Sequence, residues 1–238
     1  MTSIRENLSA MIQSVLSHFG YILARTNISG VEPIKLWMSD KDFLKIWNKI
    51  SDNTMIDICR GYMLYQFLKN TSHLKGETAE VGVWRGGTGQ LMAEVLPHKK
   101  VYLFDTFEGL PAISPEFDKH FHSQGQFNEA SYENVKSLFN SNRNVEVIKG
   151  VFPQSIRSGG VFPESYCFVH VDVDLYQPAR DCCEFFYERL VPGGVMIFDD
   201  YGFGTCPGVT RAVDEFFHDK HGHFYLPSGQ FVAMKDPS

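Results

Sequence analysis

The sequence lacks any apolar run approaching the roughly 20 residues that a bilayer-spanning helix requires. Its first stretch, MTSIRENLSAMIQSVLSHFG, has no uninterrupted apolar core and carries Glu6 early, so a secretory signal is not expected. No C-x-x-C pair occurs. The five cysteines are odd in number, and Cys182 and Cys183 are adjacent, a spacing poorly suited to a structural disulfide. Reduced thiols in a cytoplasmic protein, with Cys182 and Cys183 packed on or near the inner face of a helix, fit this usage. Dense runs of Lys and Arg are also missing, and the net charge is -6, so neither nucleic acid nor a membrane is expected as a partner. There is no internal repeat and no low-complexity segment.

The 238 residues, 43% apolar and 21% charged, suit one α/β domain with a helical extension. Residues 1–75 read as that extension. Ser39 followed by Asp42 resembles a capping box ahead of FLKIWNKI. Between Thr54 and Lys69, Ile58, Tyr62, Tyr65 and Leu68 recur at helical spacing. These aromatics read as core packing, with a cap over an active site as the alternative. From Thr78 strands and helices alternate. TAEVGV (78–83), KVYLFD (100–105), VEVIKG (145–150), YCFVHVD (166–172) and GVMIFDD (194–200) are candidate strands, and HFYLP (223–227) and FVAMK (231–235) form a closing hairpin. Several are continuous apolar runs, as in a parallel sheet covered on both faces. GQLMAEVL, PARDCCEFFYERL and PGVTRAVDEFFHD are the helices between them. This alternation predicts a Rossmann-like doubly wound sheet over residues 76–238. Residues 111–130, polar and aromatic-rich, read as a long loop or short helix of the kind that forms lids.

The first strand runs through Glu80-Val81-Gly82-Val83-Trp84-Arg85-Gly86-Gly87-Thr88-Gly89 into a helix. Glycines at such a turn let a ligand approach the backbone at the carboxyl edge of the sheet. The spacing G-x-x-x-G-G-x-G departs from the G-x-G-x-x-G of a pyrophosphate site. The second strand ends at Asp105 in LFDTFEGLP, where a carboxylate can accept both ribose hydroxyl protons; a turn or helix-cap role is the alternative. Together these features point to an adenosine-type cofactor without a pyrophosphate, for which S-adenosylmethionine is the natural candidate. Arg85 and Thr88 are candidates for its carboxylate, with ordinary loop solvation as the alternative. Gly86, Thr106 and Phe152 complete the candidate cofactor set.

The stretch HVDVDLYQPARD places Asp172 and Asp174 at the end of one apolar strand, and Asp199 and Asp200 close the next. Neighbouring parallel strands lie about 4.8 Å apart, so Asp172 and Asp199 or Asp200 can share a cation. Unpaired carboxylates in one crevice repel, and a hard divalent ion such as Mg²⁺ relieves that. Capping of the following helix is the alternative, above all for Asp200. If Asp172, Asp199 and Asp200 hold the metal, Asp174 remains to accept a proton from an acidified hydroxyl.

AEVGVWRGGTG, LFDTFEGLP, HVDVDLYQPARD and LVPGGVMIFDDYG, in that order and with SYENVKSLF and GVFPQSI, resemble the TylF-type macrocin O-methyltransferases over roughly Arg60 to Lys235. The resemblance implies the class I methyltransferase fold with a seven-stranded sheet, use of S-adenosylmethionine, and Mg²⁺ dependence. It matches Asp172, Asp199 and Asp200 to the family's metal ligands, Asp174 to a base, and Glu80, Gly82 and Asp105 to its cofactor motifs. The expected acceptor is a hydroxyl of a sugar or glycosylated natural product. A homo-oligomer is expected, a dimer being one form. Segment 111–130 and the short C-terminus depart from the family's antibiotic enzymes. Two other readings remain: a non-catalytic cofactor- or nucleotide-binding module, and a nicotinamide oxidoreductase on a related fold. Of the H-x-H pairs, His221/His223 read as surface residues, whereas His120/His122 lie in the lid-like segment as a substrate contact or alternate base. Neither pair has a third zinc ligand at suitable spacing.

Overall fold

In the computed structural model, which describes residues 35–158 and 162–236, seven strands form one sheet in the order β3-β2-β1-β4-β5-β7-β6. They are β1 (Glu77–Val81), β2 (Val101–Asp105), β3 (Val145–Lys149), β4 (Tyr166–Val171), β5 (Leu190–Phe198), β6 (His223–Tyr225) and β7 (Phe231–Met234). The first five run parallel, and β7 joins β5 antiparallel as half of the expected hairpin with β6. Six α-helices accompany them: α1 (Lys41–Ile50), α2 (Ile58–Thr71), α3 (Gly87–Val95), α4 (Tyr132–Leu138), α5 (Tyr176–Tyr187) and α6 (Pro207–Phe217). None of the described helices is long and apolar enough to cross a membrane. The helical reading of residues 1–34 lies outside the described residues.

Period-two alternation sorts each parallel strand between two cores. Ala79, Val81, Tyr102, Phe104, Val169, Val171, Met196 and Phe198 face a core built on α5 and α6. Their neighbours Val101, Leu103, Phe168, Val195 and Ile197 face the other core, which holds Leu91 and Met92 of α3, Leu64 and Leu68 of α2, and Phe43 and Ile50 of α1. Both faces are thus apolar, which accounts for the near-continuous apolar runs in the sequence. Helices α1 and α2 belong to the same compact unit as the sheet, Trp37–Ser238.

Local chemistry sets the helix starts. The cap of α1 is Asp40, not Ser39: its carboxylate accepts from Phe43 N at 3.0 Å. Asp57 caps α2 by accepting from Cys59 N and Arg60 N, so this helix begins at Ile58 and not near Thr54. Pro178 falls inside the first turn of α5, which opens at Tyr176. Segment 111–130 contains no helix. Leu110 and Gln126 close its base through backbone hydrogen bonds, and Asp118, 1% exposed, accepts from Ser114 N and Tyr176 N.

Phe43 is fully buried against Trp47, Tyr62 and Tyr65. Phe43→Ala is expected to lower the unfolding free energy by about 3–5 kcal/mol in a urea titration, with one cooperative transition. A loss below about 1 kcal/mol would show that α1 contributes little to the sheet's core.

Candidate active site

The sheet order reverses between β1 and β4, where open α/β sheets form their ligand crevice. The parallel ladder runs one residue past the strand ends there. Gly82 N donates to Phe104 O, Asp172 N to Val81 O and Asp199 N to Val171 O, each at 2.9 Å. Gly82 has φ +90°, and a Cβ on it would come within 1.6 Å of the Asp172 carbonyl oxygen. Only glycine lets the chain turn away from β1 so close to β4. Beyond this point opens a cleft, and Gly82, Asp105, Thr106, Phe152, Asp172 and Asp174 are among its walls. Trp84, Leu110 and Phe127 add apolar surface.

The predicted cofactor residues divide into two groups. Gly82, Asp105, Thr106 and Phe152 line the cleft. Asp105 also organises its rim, since Oδ2 accepts from Val83 N (2.7 Å) and Trp84 N (2.9 Å) while Oδ1 accepts from Phe107 N. Its turn role is therefore filled. Glu80, Arg85, Gly86 and Thr88 are outside the cleft lining. Gly86 is the left-handed N-cap of α3, Thr88 is buried in that helix, and Arg85 stacks 4.4 Å over the Trp84 ring. Glu80 is fully buried beneath the loop, and its Oε1 meets His170 Nδ1 at 2.8 Å. Sheet register explains the pair: Glu80 and His170 are direct partners on β1 and β4 and face the same side.

Asp172, Asp199 and Asp200 come together, each offering a carboxylate oxygen within 4.8 Å of the others. Asp199 Oδ2 takes a salt bridge from Arg60 of α2, and Oδ1 accepts from Gln230 Nε2 at 2.8 Å. His170 Nε2 is 3.7 Å from Oδ1, an ionic contact too long for a hydrogen bond. Asp200 Oδ2 accepts from Val173 N and Asp174 N. Asp174 does not continue the strand beside Asp172, because β4 has ended and Asp174 adopts φ +61°, which Asp tolerates better than most residues.

Charge accounts for the proton affinities. Burial would raise Asp199, but His170, Arg60 and the Gln230 hydrogen bond outweigh it and hold the carboxyl below its usual range. Burial would lower His170, yet Asp199 and Glu80 hold it at about 10. Asp172 is pushed well up by burial and by the charges of Asp200 and Asp199. Burial and the same neighbours raise Asp174 to about 8, and burial with Asp199 raises Asp200 to about 6. Glu80, Asp172, Asp174, Asp199 and Asp200 thus face two cationic groups, Arg60 and His170, and Arg60 also pairs with Asp57. The surplus negative charge and the all-oxygen donor set of Asp172, Asp199 and Asp200 fit a hard divalent cation.

Sequence reasoning missed Arg60, His170 and Gln230. His170 was within reach, since counting strand parity puts it opposite Glu80; Arg60 and Gln230 carry no local signal.

A sequence model of the macrocin-O-methyltransferase (TylF) family matches residues 51–223. The chain is 28% identical over 163 residues to the 8-demethyl-8-(2,3-dimethoxy-alpha-L-rhamnosyl)-tetracenomycin-C 4'-O-methyltransferase of Streptomyces olivaceus, covering 63% of this chain and 59% of the relative. It is 31% identical over 165 residues to the mycinamicin III 3''-O-methyltransferase of Micromonospora griseorubida, covering 62% of each. The chain therefore spans about three fifths of the length of these curated relatives, 59% and 62%. Among solved structures, the O-methyltransferase NovP shares the fold with a TM-score of 0.67 at 23% identity, over 77% of this chain and 82% of that one.

The Gly82 contact has a direct test. Gly82→Ala is expected to cost more than about 3 kcal/mol of unfolding free energy, whereas Gly204→Ala, with nothing within 4 Å of the added Cβ, stays within about 0.5 kcal/mol. Equal denaturation midpoints for the two variants would remove the close approach as a constraint.

Proposed function

The chain belongs to the macrocin-O-methyltransferase (TylF) family, and from this premise we propose that it transfers a methyl group from S-adenosylmethionine to a hydroxyl of a sugar or glycosylated small molecule, with Mg²⁺ held by Asp172, Asp199 and Asp200. The observation that carries this reading is the convergence of those three carboxylates beside a cleft walled by Gly82, Asp105 and Asp174. The acceptor class rests on the relatives, whose names give a rhamnosyl-tetracenomycin and mycinamicin III as what they methylate.

Mg²⁺, when bound, supplies positive charge that lowers the pKa of a nearby acceptor hydroxyl. S-adenosylmethionine supplies a methyl group on a sulfonium, a leaving group that departs as a neutral thioether. The protein's share is placement and proton handling. Gly82 and Asp105 shape the wall for the adenosine part, with Thr106 and Phe152 beside them. Arg60 and Gln230 fix the orientation of Asp199, and the Val173 and Asp174 amides fix that of Asp200. Asp174 takes the acceptor's hydroxyl proton. Trp84 and Phe127 give the cleft apolar walls, and most of the rate gain comes from holding the two reactants in line.

Calorimetric titration with S-adenosylhomocysteine is expected to show binding, and no heat at millimolar ligand would overturn the cofactor assignment. Methyl transfer to a deoxysugar-bearing acceptor is expected to stop in EDTA and return with Mg²⁺; activity that survives chelation would remove the metal. Asp172→Ala is expected to weaken Mg²⁺ binding at least about tenfold. Asp174→Asn is expected to keep Mg²⁺ affinity while kcat falls about a hundredfold or more. Unchanged Mg²⁺ affinity in Asp172→Ala would refute the ligand set.

A further inference from the structure

A second group of metal-ligating side chains stands next to the carboxylates, and the function proposed above makes no use of two of its members. His122, Asp174 and Cys206 each offer a ligand atom within 4.8 Å of the others. Cys206 Sγ lies 3.6 Å from Asp174 Oδ1 and 3.7 Å from His122 Nε2, with Thr205 Oγ1 also at 3.6 Å. A tetrahedral zinc site, with Zn–S of about 2.3 Å and Zn–N or Zn–O of about 2.0 Å, separates its donors by about 3.5 Å. The two separations match that edge length, and without a cation they serve as ordinary sulfur hydrogen bonds.

His122 is the independent observation. It is 8% exposed, and its Nδ1 has no hydrogen-bond partner among the described residues. The other ring nitrogen, Nε2, is the one that faces Cys206 Sγ and the space between the three ligand atoms. The three residues come from different elements, each held in place. His122 is tied by its amide to Asp118 O, Asp174 is fixed at φ +61° with its amide on Asp200, and Cys206 is the N-cap of α6. Burial raises the Cys206 thiol, as do the charges of Asp200 and Asp174, while the N-terminus of α6 favours the thiolate. A bound divalent cation would displace the thiol proton to solvent and offset the same negative charge.

We propose that His122, Asp174 and Cys206 form a binding site for a thiophilic divalent cation such as Zn²⁺, distinct from the oxygen-only set of Asp172, Asp199 and Asp200. The donor sets separate the two ions by hardness: one thiolate and one imidazole suit zinc or cobalt, and three carboxylates suit magnesium. Three protein ligands leave a fourth position open. A cation here also engages the Asp174 carboxylate, so zinc opposes the proton transfer assigned to that residue. This last consequence rests on the proposed function; the site itself does not.

The test uses Co²⁺ as a spectroscopic substitute, added to the full chain in excess Mg²⁺. A thiolate-to-cobalt charge-transfer band in the near ultraviolet is expected, reversed by stoichiometric Zn²⁺. The band is expected to vanish in Cys206→Ser, to need at least about tenfold more Co²⁺ in His122→Gln, and to persist in Asp172→Asn. Thermal unfolding of each variant without metal shows whether it is folded. Absence of the band in the wild-type protein at millimolar Co²⁺, its survival in Cys206→Ser, or an unchanged Co²⁺ requirement in folded His122→Gln would each overturn the proposal. None of these outcomes depends on methyl transfer, so failure of the site and failure of the enzymatic reading remain separate.

Discussion

Asp199 holds three distant parts of the chain at one buried carboxylate: Arg60 from α2, His170 from β4 and Gln230 from the turn of the closing hairpin. A fully buried charge is tolerated only when it is paired and hydrogen-bonded, and these partners meet that condition. The arrangement spreads outward from there. His170 carries the pairing to Glu80 on β1, and Arg60 draws the start of α2 over the carboxyl edge of the sheet. With Asp199 satisfied, Asp172 is left with the least compensation of the set, and its raised proton affinity records that. The surplus negative charge of the edge is therefore a remainder, what is left after Arg60 and His170 have been shared among these acids.

The geometry of the edge is as constrained as its charge. Hydrogen bonds beyond the last strand residues keep Gly82, Asp172 and Asp199 in register across three strands, so neighbouring carboxylates inherit the spacing of the sheet. Asp200 is then set by the Val173 and Asp174 amides, and the Asp174 carboxylate by the Cys206 thiol. Rigid positioning of this kind limits how far ligand atoms wander when a cation or acceptor arrives.

Much of this was legible in the sequence because it is periodic or punctuated. Alternating strands and helices gave the doubly wound sheet, the Pro227-Ser228-Gly229 turn marked the hairpin, and acids after apolar runs marked the strand ends. What stayed hidden depends on distance along the chain or on competition for one atom. Arg60 lies far from Asp199 in sequence, and nothing in an aromatic-rich helix singles it out as the partner. Asp105 reads as a ribose acceptor, yet both its oxygens also accept turn amides, a competition that spacing does not reveal. Asp174 would share the face of Asp172 if the strand continued; its own left-handed backbone ends that continuity.

Segment 111–130 is fastened at Asp118, whose buried carboxylate accepts from its own loop and from the first residue of α5, while Phe117 stacks on Tyr176 at 4.3 Å. Much of the rest of the segment is exposed and lies outside the sheet's core. His122 is the segment's second buried polar group, and through Cys206 it reaches Asp174, so this part of the loop is tied to the acidic edge. The exposed remainder of the segment can change in sequence without disturbing either contact.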